Sequence, residues 1–583
     1  MTRIRFLFAA SCLCLNAAAF AADGSAASFS SAPSFNGAPL APEGNTGRYA
    51  LSTARAAQAM VVTANPHATD AARQMLWAGG SAIDAAIAAQ LVLGLVEPQS
   101  SGIGGGAFIV YHDGRKTLSF DGRETAPATA TDGRFLKQDG SPMEFYGAVD
   151  SGLGLGVPGV LAAMEEAHDR YGRLSWKKLF APAITLARNG FAISPRLQAL
   201  IARDPLLREK DRTRDYFFDK DGNPLPVGHV LKNPAYADTL ERIASGGAKE
   251  FYRGKTGREL VKSLNLLGSD TTAEDWKNYR AKVSDALCQP YRQTTVCTAA
   301  PPSGGWTVLQ TLAILDRFPA ENDEALRLHR LLEAERLAFA DRQRYSADPA
   351  FVPLPLQGLL NAGYVESRQA LISDDKSMKK AAAGTPPGVA TAWAQDRQVF
   401  ENGTTQIVIA DARGQWLSMT SSIEDAFGSR LFVDGVFFNN QLTDFSFKPM
   451  DEGQLVANRV EAGKRPRSAM SPVIVFGADK KPLLALGSPG GSRIIGYVLR
   501  ALTASIDEGK SPREVVSLPM LLSRNGPTEV DSDLSPELRD ALAARGQELQ
   551  DSDLNSGLAV IRRSDGQLEG AADPRREGKA AGF

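Results

Sequence analysis

Residues 401–425 read ENGTTQIVIADARGQWLSMTSSIED, and the fold is decided there. A polar tripeptide, Asn402-Gly403-Thr404, opens the stretch. Thr405–Ala410 is rich in β-branched residues, Asp411–Gly414 carries turn residues, and Gln415–Thr420 returns as a second strand. The pattern predicts a buried hairpin with a threonine at its entrance and a glycine just before it. Edge threonines suit a strand, so an ordinary hairpin accounts for the pattern. A second chemistry is also open. If the Gly403–Thr404 bond is cut, Thr404 becomes an N-terminal residue whose hydroxyl is a nucleophile and whose own α-amine is the base. An α-amine has an unperturbed pKa of about 7.7–8.0, so a useful fraction is neutral near pH 7.

The surrounding chain has 583 residues, a net charge of -1, 43% hydrophobic and 22% charged residues. That is a globular profile with room for a large core, and its neutrality gives no reason to expect nucleic acid. No apolar run long enough for a membrane span follows the N-terminus. Residues 1–22 read as an export signal: Arg3 and Arg5, then the apolar Phe6–Leu15, then the small-x-small site Ala19-Phe20-Ala21. A periplasmic or secreted protein is expected. Residues 23–50, rich in Ser, Ala, Gly and Pro, are expected to be a disordered lead-in. Cys12 and Cys14 leave with the signal. Cys288 and Cys297 remain, and their spacing leaves a disulfide across a hairpin and two buried thiols equally open.

Along the chain, Thr69 is read as capping a helix through Ala78, ended by Gly79-Gly80, and Ala82–Leu95 is apolar nearly all round, a deeply buried helix. The glycine-rich Ser100–Ala107 follows a helix and leads into a strand, the reverse of a dinucleotide fingerprint, so a tight backbone crossing is expected. Leu153–Gln395 reads mostly as helices and loops, with Asp323 capping a long scaffold helix over Glu324–Arg344. Ala381–Gly388, AAAGTPPG, has the composition of a flexible linker. Gly487-Ser488-Pro489-Gly490-Gly491-Ser492-Arg493 enters a helix at Ile494; it lacks the Gly-Lys-Ser/Thr of a P-loop. The five histidines show no metal-ligand spacing, and there is no Gly-x-Ser-x-Gly elbow. That favours a nucleophile supplying its own base, with no metal and no cofactor.

Thr404-Thr405, Phe427-Gly428-Ser429 and Asn439-Asn440-Gln441-Leu442-Thr443-Asp444-Phe445-Ser446 follow one another at the spacing of the γ-glutamyltranspeptidase family. Asn65–Pro127, Gly156–Gly159, Pro301–Gly305, Arg467–Pro472 and Gly570–Arg576 are also similar to it, so the resemblance runs from about Met60 to the C-terminus. It implies an α+β, four-layer αββα sandwich of the N-terminal-nucleophile hydrolase type. It also implies self-cleavage at Gly403–Thr404 into a large subunit, 51–403, and a small one, 404–583, that stay together as one unit. Donors would be glutathione or other γ-glutamyl compounds; acceptors would be water, amino acids or dipeptides.

By the same resemblance Thr404 is the nucleophile, Ser422 supplies the hydroxyl that bonds its amine, and Gly490 and Gly491 form the oxyanion hole. Arg123 and Ser468 grip the donor's α-carboxylate, Glu424 and Asp444 lie on its amine side, and Gln441 belongs to the pocket. A guanidinium fork suits a carboxylate; without the family, Arg123 reads as a surface partner of Glu124. Three positions depart from the family pattern. Gln406 stands where histidine is frequent, Glu424 where asparagine is, and Ala469 where a second serine is. Phe445–Arg467 is shorter than the family's usual lid and has no tyrosine, which predicts a site open to bulkier substrates or to water. Two other readings go with this one: a cephalosporin (glutaryl) acylase of the same family, and an uncut, non-catalytic binding protein of the export compartment.

Overall fold

Strands Thr405–Ala410 and Trp416–Ser422 form the expected hairpin, with Thr405 opposite Ser421 and Ala410 opposite Trp416. Every residue of both strands is buried. The structure is a computed structural model and describes residues 44–396 and 403–583. The export signal and most of the lead-in therefore lie outside the described residues. The end of the lead-in is tied down instead of loose: Tyr49 N–H donates to the Pro574 carbonyl at 2.7 Å, and Arg48 pairs with Asp533.

The hairpin sits in the middle of a seven-stranded antiparallel sheet. Its order is Lys579–Gly582, Met60–Thr63, Thr405–Ala410, Trp416–Ser422, Gly106–His112, Thr117–Asp121, Lys282–Asp285. A second antiparallel sheet of seven runs Ser52–Ala56, Gln567–Ala572, Ala559–Ser564, Pro482–Gly487, Val473–Phe476, Thr294–Thr298, Leu287–Tyr291. Both sheets take strands from both sides of the Gly403–Thr404 bond.

Side chains alternate along these strands, so each strand serves two cores. Val61, Ile109, Ile407, Ile409, Leu417 and Met419 pack with the helices Pro66–Trp77 and Ala82–Val96 in one apolar cluster. Their neighbours Met60, Val62, Phe108, Val110 and Val408 join Leu484, Leu486 and Val560 of the second sheet in another. That second cluster also holds the helices Gly305–Leu315, Glu324–Tyr345 and Ile494–Ile506. The two sheets touch through Trp416–Ser422 and Pro482–Gly487, where Ser418 Oγ donates to the Leu486 carbonyl at 2.8 Å.

Local signals decide several boundaries. The first helix is capped by Asn65, whose side chain accepts from His67 N–H, with Pro66 at the first helical position; Thr69 lies inside it. Ser81 and Asp84 form a capping box for Ala82–Val96, and Asp323 caps Glu324–Tyr345. Strands Leu287–Tyr291 and Thr294–Thr298 set Cys288 opposite Cys297, and the two are disulfide-bonded. Ala381–Gly388 is not slack. Asn525 bonds both the N–H and the carbonyl of Ala381, Asp341 accepts from Gly384 N–H, and Tyr345 donates to the Gly384 carbonyl. Composition misled there because these partners are distant in sequence.

Candidate active site

Thr404 is 2% exposed and enters the hairpin directly. Gly403 has φ +52, and a Cβ there would lie 2.0 Å from the Glu424 carbonyl oxygen, so only glycine fits. Ser422, at the end of the returning strand, donates its hydroxyl to the Gly403 carbonyl and accepts from Glu424 N–H at 2.9 Å. The Ser100–Ala107 run is the close crossing its glycines suggested. A Cβ on Gly105 would lie 2.1 Å from the Ser422 carbonyl oxygen, so the neighbouring strand can press against the residue that touches the Gly403 carbonyl. From the other side Arg576, fully buried, donates to the Thr404 carbonyl at 3.3 Å.

Gly490 and Gly491, at φ +129 and +60, follow the strand Pro482–Gly487 and precede the helix Ile494–Ile506. Backbone N–H groups at such a helix start are placed for developing negative charge. Gln406 is bonded across the hairpin. Its amide donates to Ser418 Oγ at 2.9 Å and accepts from Thr420 Oγ1 at 2.7 Å. It also fills the space beside Gly487, where an added Cβ would meet its amide at 2.4 Å. Gln406 thus braces the strand that Thr404 enters against the glycine loop.

The opposite wall is built from charges. Arg123, wholly buried, donates through Nε to the Pro466 carbonyl at 3.2 Å and through Nη2 to the Arg467 carbonyl at 2.7 Å and to Asp444. Asp444 also accepts from Gln441 Nε2 at 2.8 Å. Asn440 donates to Glu424 at 2.5 Å and accepts from Asp425 N–H at 2.9 Å, which fixes the Gln441–Asp444 turn against the hairpin's end. Glu124 is not at the surface. It is fully buried, 3.7 Å from Arg123 Nη1, and burial pushes its carboxyl up to about 8, against the opposing pull of Arg123. The loop after Asp444 buttresses this wall: Asn458 donates to the Asp444 carbonyl at 2.7 Å and accepts from Arg467 N–H at 3.0 Å, and Arg467 pairs with Asp396 at 3.1 Å.

A narrow cleft with a cavity volume of about 10 Å³ joins the two walls. Arg123, Thr404, Ser422, Gln441, Asp444, Ser468, Ala469 and Gly491 line it, together with Met470 and Ile494. The last two went unread in the sequence, where an apolar residue beside a motif looks like any core residue. Gly403 and Gly490 stand one residue behind this lining. Glu424 is buried behind it too, held by Asn440. Of the two carboxylates expected on the amine side, Asp444 faces the cleft, and it is bonded to Arg123 rather than set apart from it. Among the described residues no group of His, Cys, Asp and Glu could hold a metal ion, and no helix is long and apolar enough to cross a membrane.

A paired-sheet frame with a threonine at the mouth of its central hairpin defines an amide-cleaving enzyme class, the N-terminal-nucleophile hydrolases, and solved members are similar in architecture. The cephalosporin acylase from Bacillus halodurans superposes with a TM-score of 0.77 at 26% identity, over 92% of this chain and 97% of that one. The Helicobacter pylori gamma-glutamyltranspeptidase superposes with a TM-score of 0.51 at 32% identity, over 54% of this chain and 91% of that one. In sequence, the glutathione hydrolase proenzyme of Bacillus subtilis (strain 168) is 36% identical over 542 residues, 90% of this chain and 91% of that protein. The family described as Gamma-glutamyltranspeptidase matches residues 68–583, and the chain belongs to it.

Proposed function

We propose that the chain is a γ-glutamyltransferase and glutathione hydrolase that matures by cutting itself between Gly403 and Thr404. The two sheets, faced by the helices of the two clusters, make the αββα frame of that activity. The contact that carries this reading is the Ser422 hydroxyl on the Gly403 carbonyl, beside the buried Thr404. In maturation Thr404 Oγ attacks that carbonyl, Ser422 bonds the developing oxyanion, and the C–N bond breaks as the Oγ proton passes to the departing nitrogen. The result is an ester and a free α-amine, and water opens the ester. In turnover the α-amine takes the proton of Oγ, and Oγ attacks the γ-carbonyl of the donor. The oxyanion is met by the N–H groups of Gly490 and Gly491, each worth about 2.7–4 kcal/mol in such sites. The leaving amine departs with the proton, and the γ-glutamyl ester passes to water or to an amino-acid or dipeptide acceptor.

Arg123 and Ser468 receive the donor's α-carboxylate, while Asp444, with Glu424 behind it, compensates its ammonium. A glutaryl donor brings no ammonium to set against Glu424 and against Asp444, which already pairs with Arg123, and this disfavours the acylase reading. Reading residues 1–22 as an export signal supports a periplasmic or secreted enzyme. The test is a denaturing gel with an assay on a γ-glutamyl anilide. Wild type should give two chains, the smaller of 583 − 403 = 180 residues. Thr404→Ala should remain one chain and be inactive. An intact wild-type chain that turns over the anilide would rule the mechanism out.

A further inference from the structure

Arg123 has three guanidinium nitrogens, and two are committed: Nε to the Pro466 carbonyl, and Nη2 to the Arg467 carbonyl and Asp444. Nη1 has no hydrogen-bond partner, and neither do the two carboxyl oxygens of Glu124. Arg123 Nη1 and Glu124 Oε2 lie 3.7 Å apart, and both residues are fully buried. Glu124 is also held from behind. A Cβ on Gly106 would meet its Oε2 at 2.5 Å, and one on Gly156 would meet its Cβ at 2.8 Å, so the side chain has little room to retreat.

We propose, on the reading that Arg123 receives the donor's α-carboxylate, that Glu124 is the positioning residue deciding whether it can. Protonated, Glu124 does not hold the buried Nη1, which stays unpaired until the donor takes it. Ionised, it takes that edge itself and presents a negative charge to an incoming carboxylate. The proton stays on the Glu124 carboxyl and never enters the reaction.

The surroundings favour the protonated form at neutral pH. Burial lifts the carboxyl to about 8. Asp444 and Asp121 add to that lift, though Asp121 is itself neutralised by Arg465. The remaining titratable groups packed nearby are Tyr279, which donates to the Arg123 carbonyl, and Tyr252, stacked on it; burial raises both well above ordinary tyrosine values. Neither becomes charged in the range concerned. Donor binding and Glu124 protonation therefore favour each other: affinity is full below about pH 8 and is lost as pH rises through it.

The experiment measures KM and kcat of the holoenzyme for a γ-glutamyl anilide between pH 6.5 and 9.5, in wild type and Glu124→Gln. If only the protonated form binds, wild-type KM rises about tenfold from pH 7 to 9 while kcat is unaffected by this group. In Glu124→Gln the rise should vanish, apart from the donor ammonium's own titration, which both proteins share. Superimposable KM profiles would overturn the proposal. Should Glu124→Gln not mature, wild type alone decides the matter through inhibition by L-glutamate and by 4-aminobutyrate, which lacks the α-carboxylate. The inhibition constant of glutamate should climb more steeply above pH 8, and equal slopes would overturn the proposal. Absence of γ-glutamyl hydrolysis at any pH would count against the proposed function instead.

Discussion

The two walls of the cleft, which the proposed function makes a nucleophile wall and a donor wall, are held in different ways. The nucleophile wall is a hairpin fixed by backbone register, apolar packing on both faces and the neutral Gln406–Ser418–Thr420 bonds. The donor wall is held by ions out of water: Arg123 with Asp444, Arg465 with Asp121, Arg467 with Asp396, and Lys464, whose burial lowers its pKa. Apolar packing and backbone ladders barely respond to pH, whereas buried ion pairs respond strongly to protonation and to loss of one partner. Bond-making geometry should therefore be robust, and donor recognition should be the part that conditions and substitutions tune.

The harshest way to break this contrast is to disturb the hairpin's entrance. Gly403→Ala puts a side chain 2.0 Å from the Glu424 carbonyl in a left-handed conformation. The conformation alone costs about 1–2 kcal/mol, so self-cleavage should slow by roughly tenfold or more. Timed denaturing gels read this directly, and normal cleavage would show that the entrance rearranges freely. Next comes the donor wall. Arg123→Lys keeps the charge but loses the fork that serves Pro466, Arg467 and Asp444. KM for γ-glutamyl donors should rise by about 2–3 kcal/mol equivalent, with kcat within severalfold of wild type. A collapse of kcat with KM unchanged would mean that the walls are not separable. The smallest effect belongs to the Cys288–Cys297 disulfide, on an edge strand of the second sheet. Its reduction should lower stability by about 2–3 kcal/mol in chemical denaturation and leave kcat/KM unchanged within about twofold.

The same contrast explains what could be read from sequence. The hairpin, the Gly487–Arg493 loop with its helix at Ile494 and the helix capped by Asp323 were legible because each is set by neighbours within a few residues. The donor wall was only half legible. Its members could be named from motifs, but Arg123 and Asp444 are 321 positions apart, so their direct contact has no local signature. Adjacent Arg and Glu normally read as a surface pair, and nothing near Glu124 announces that it is buried. Gln406 was opaque for a related reason: its partners are Ser418 and Thr420 across the hairpin and Gly487 in the other sheet. The pinning of Ala381–Gly388 by Asn525 and Asp341 was hidden in the same way.

The interleaving of strands has a consequence for how this molecule can be taken apart. Met60–Thr63 and Gly106–His112 flank the hairpin in one sheet, and Thr294–Thr298 borders Val473–Phe476 in the other, so each sheet is stitched from both sides of residue 403. Before the proposed cut the polypeptide folds as one tethered body, by a first-order process. Afterwards the same contacts can be rebuilt only if two separate chains meet, and refolding becomes second-order and dependent on dilution. The mature enzyme would then persist through the slowness of its unfolding more than through an equilibrium it can revisit.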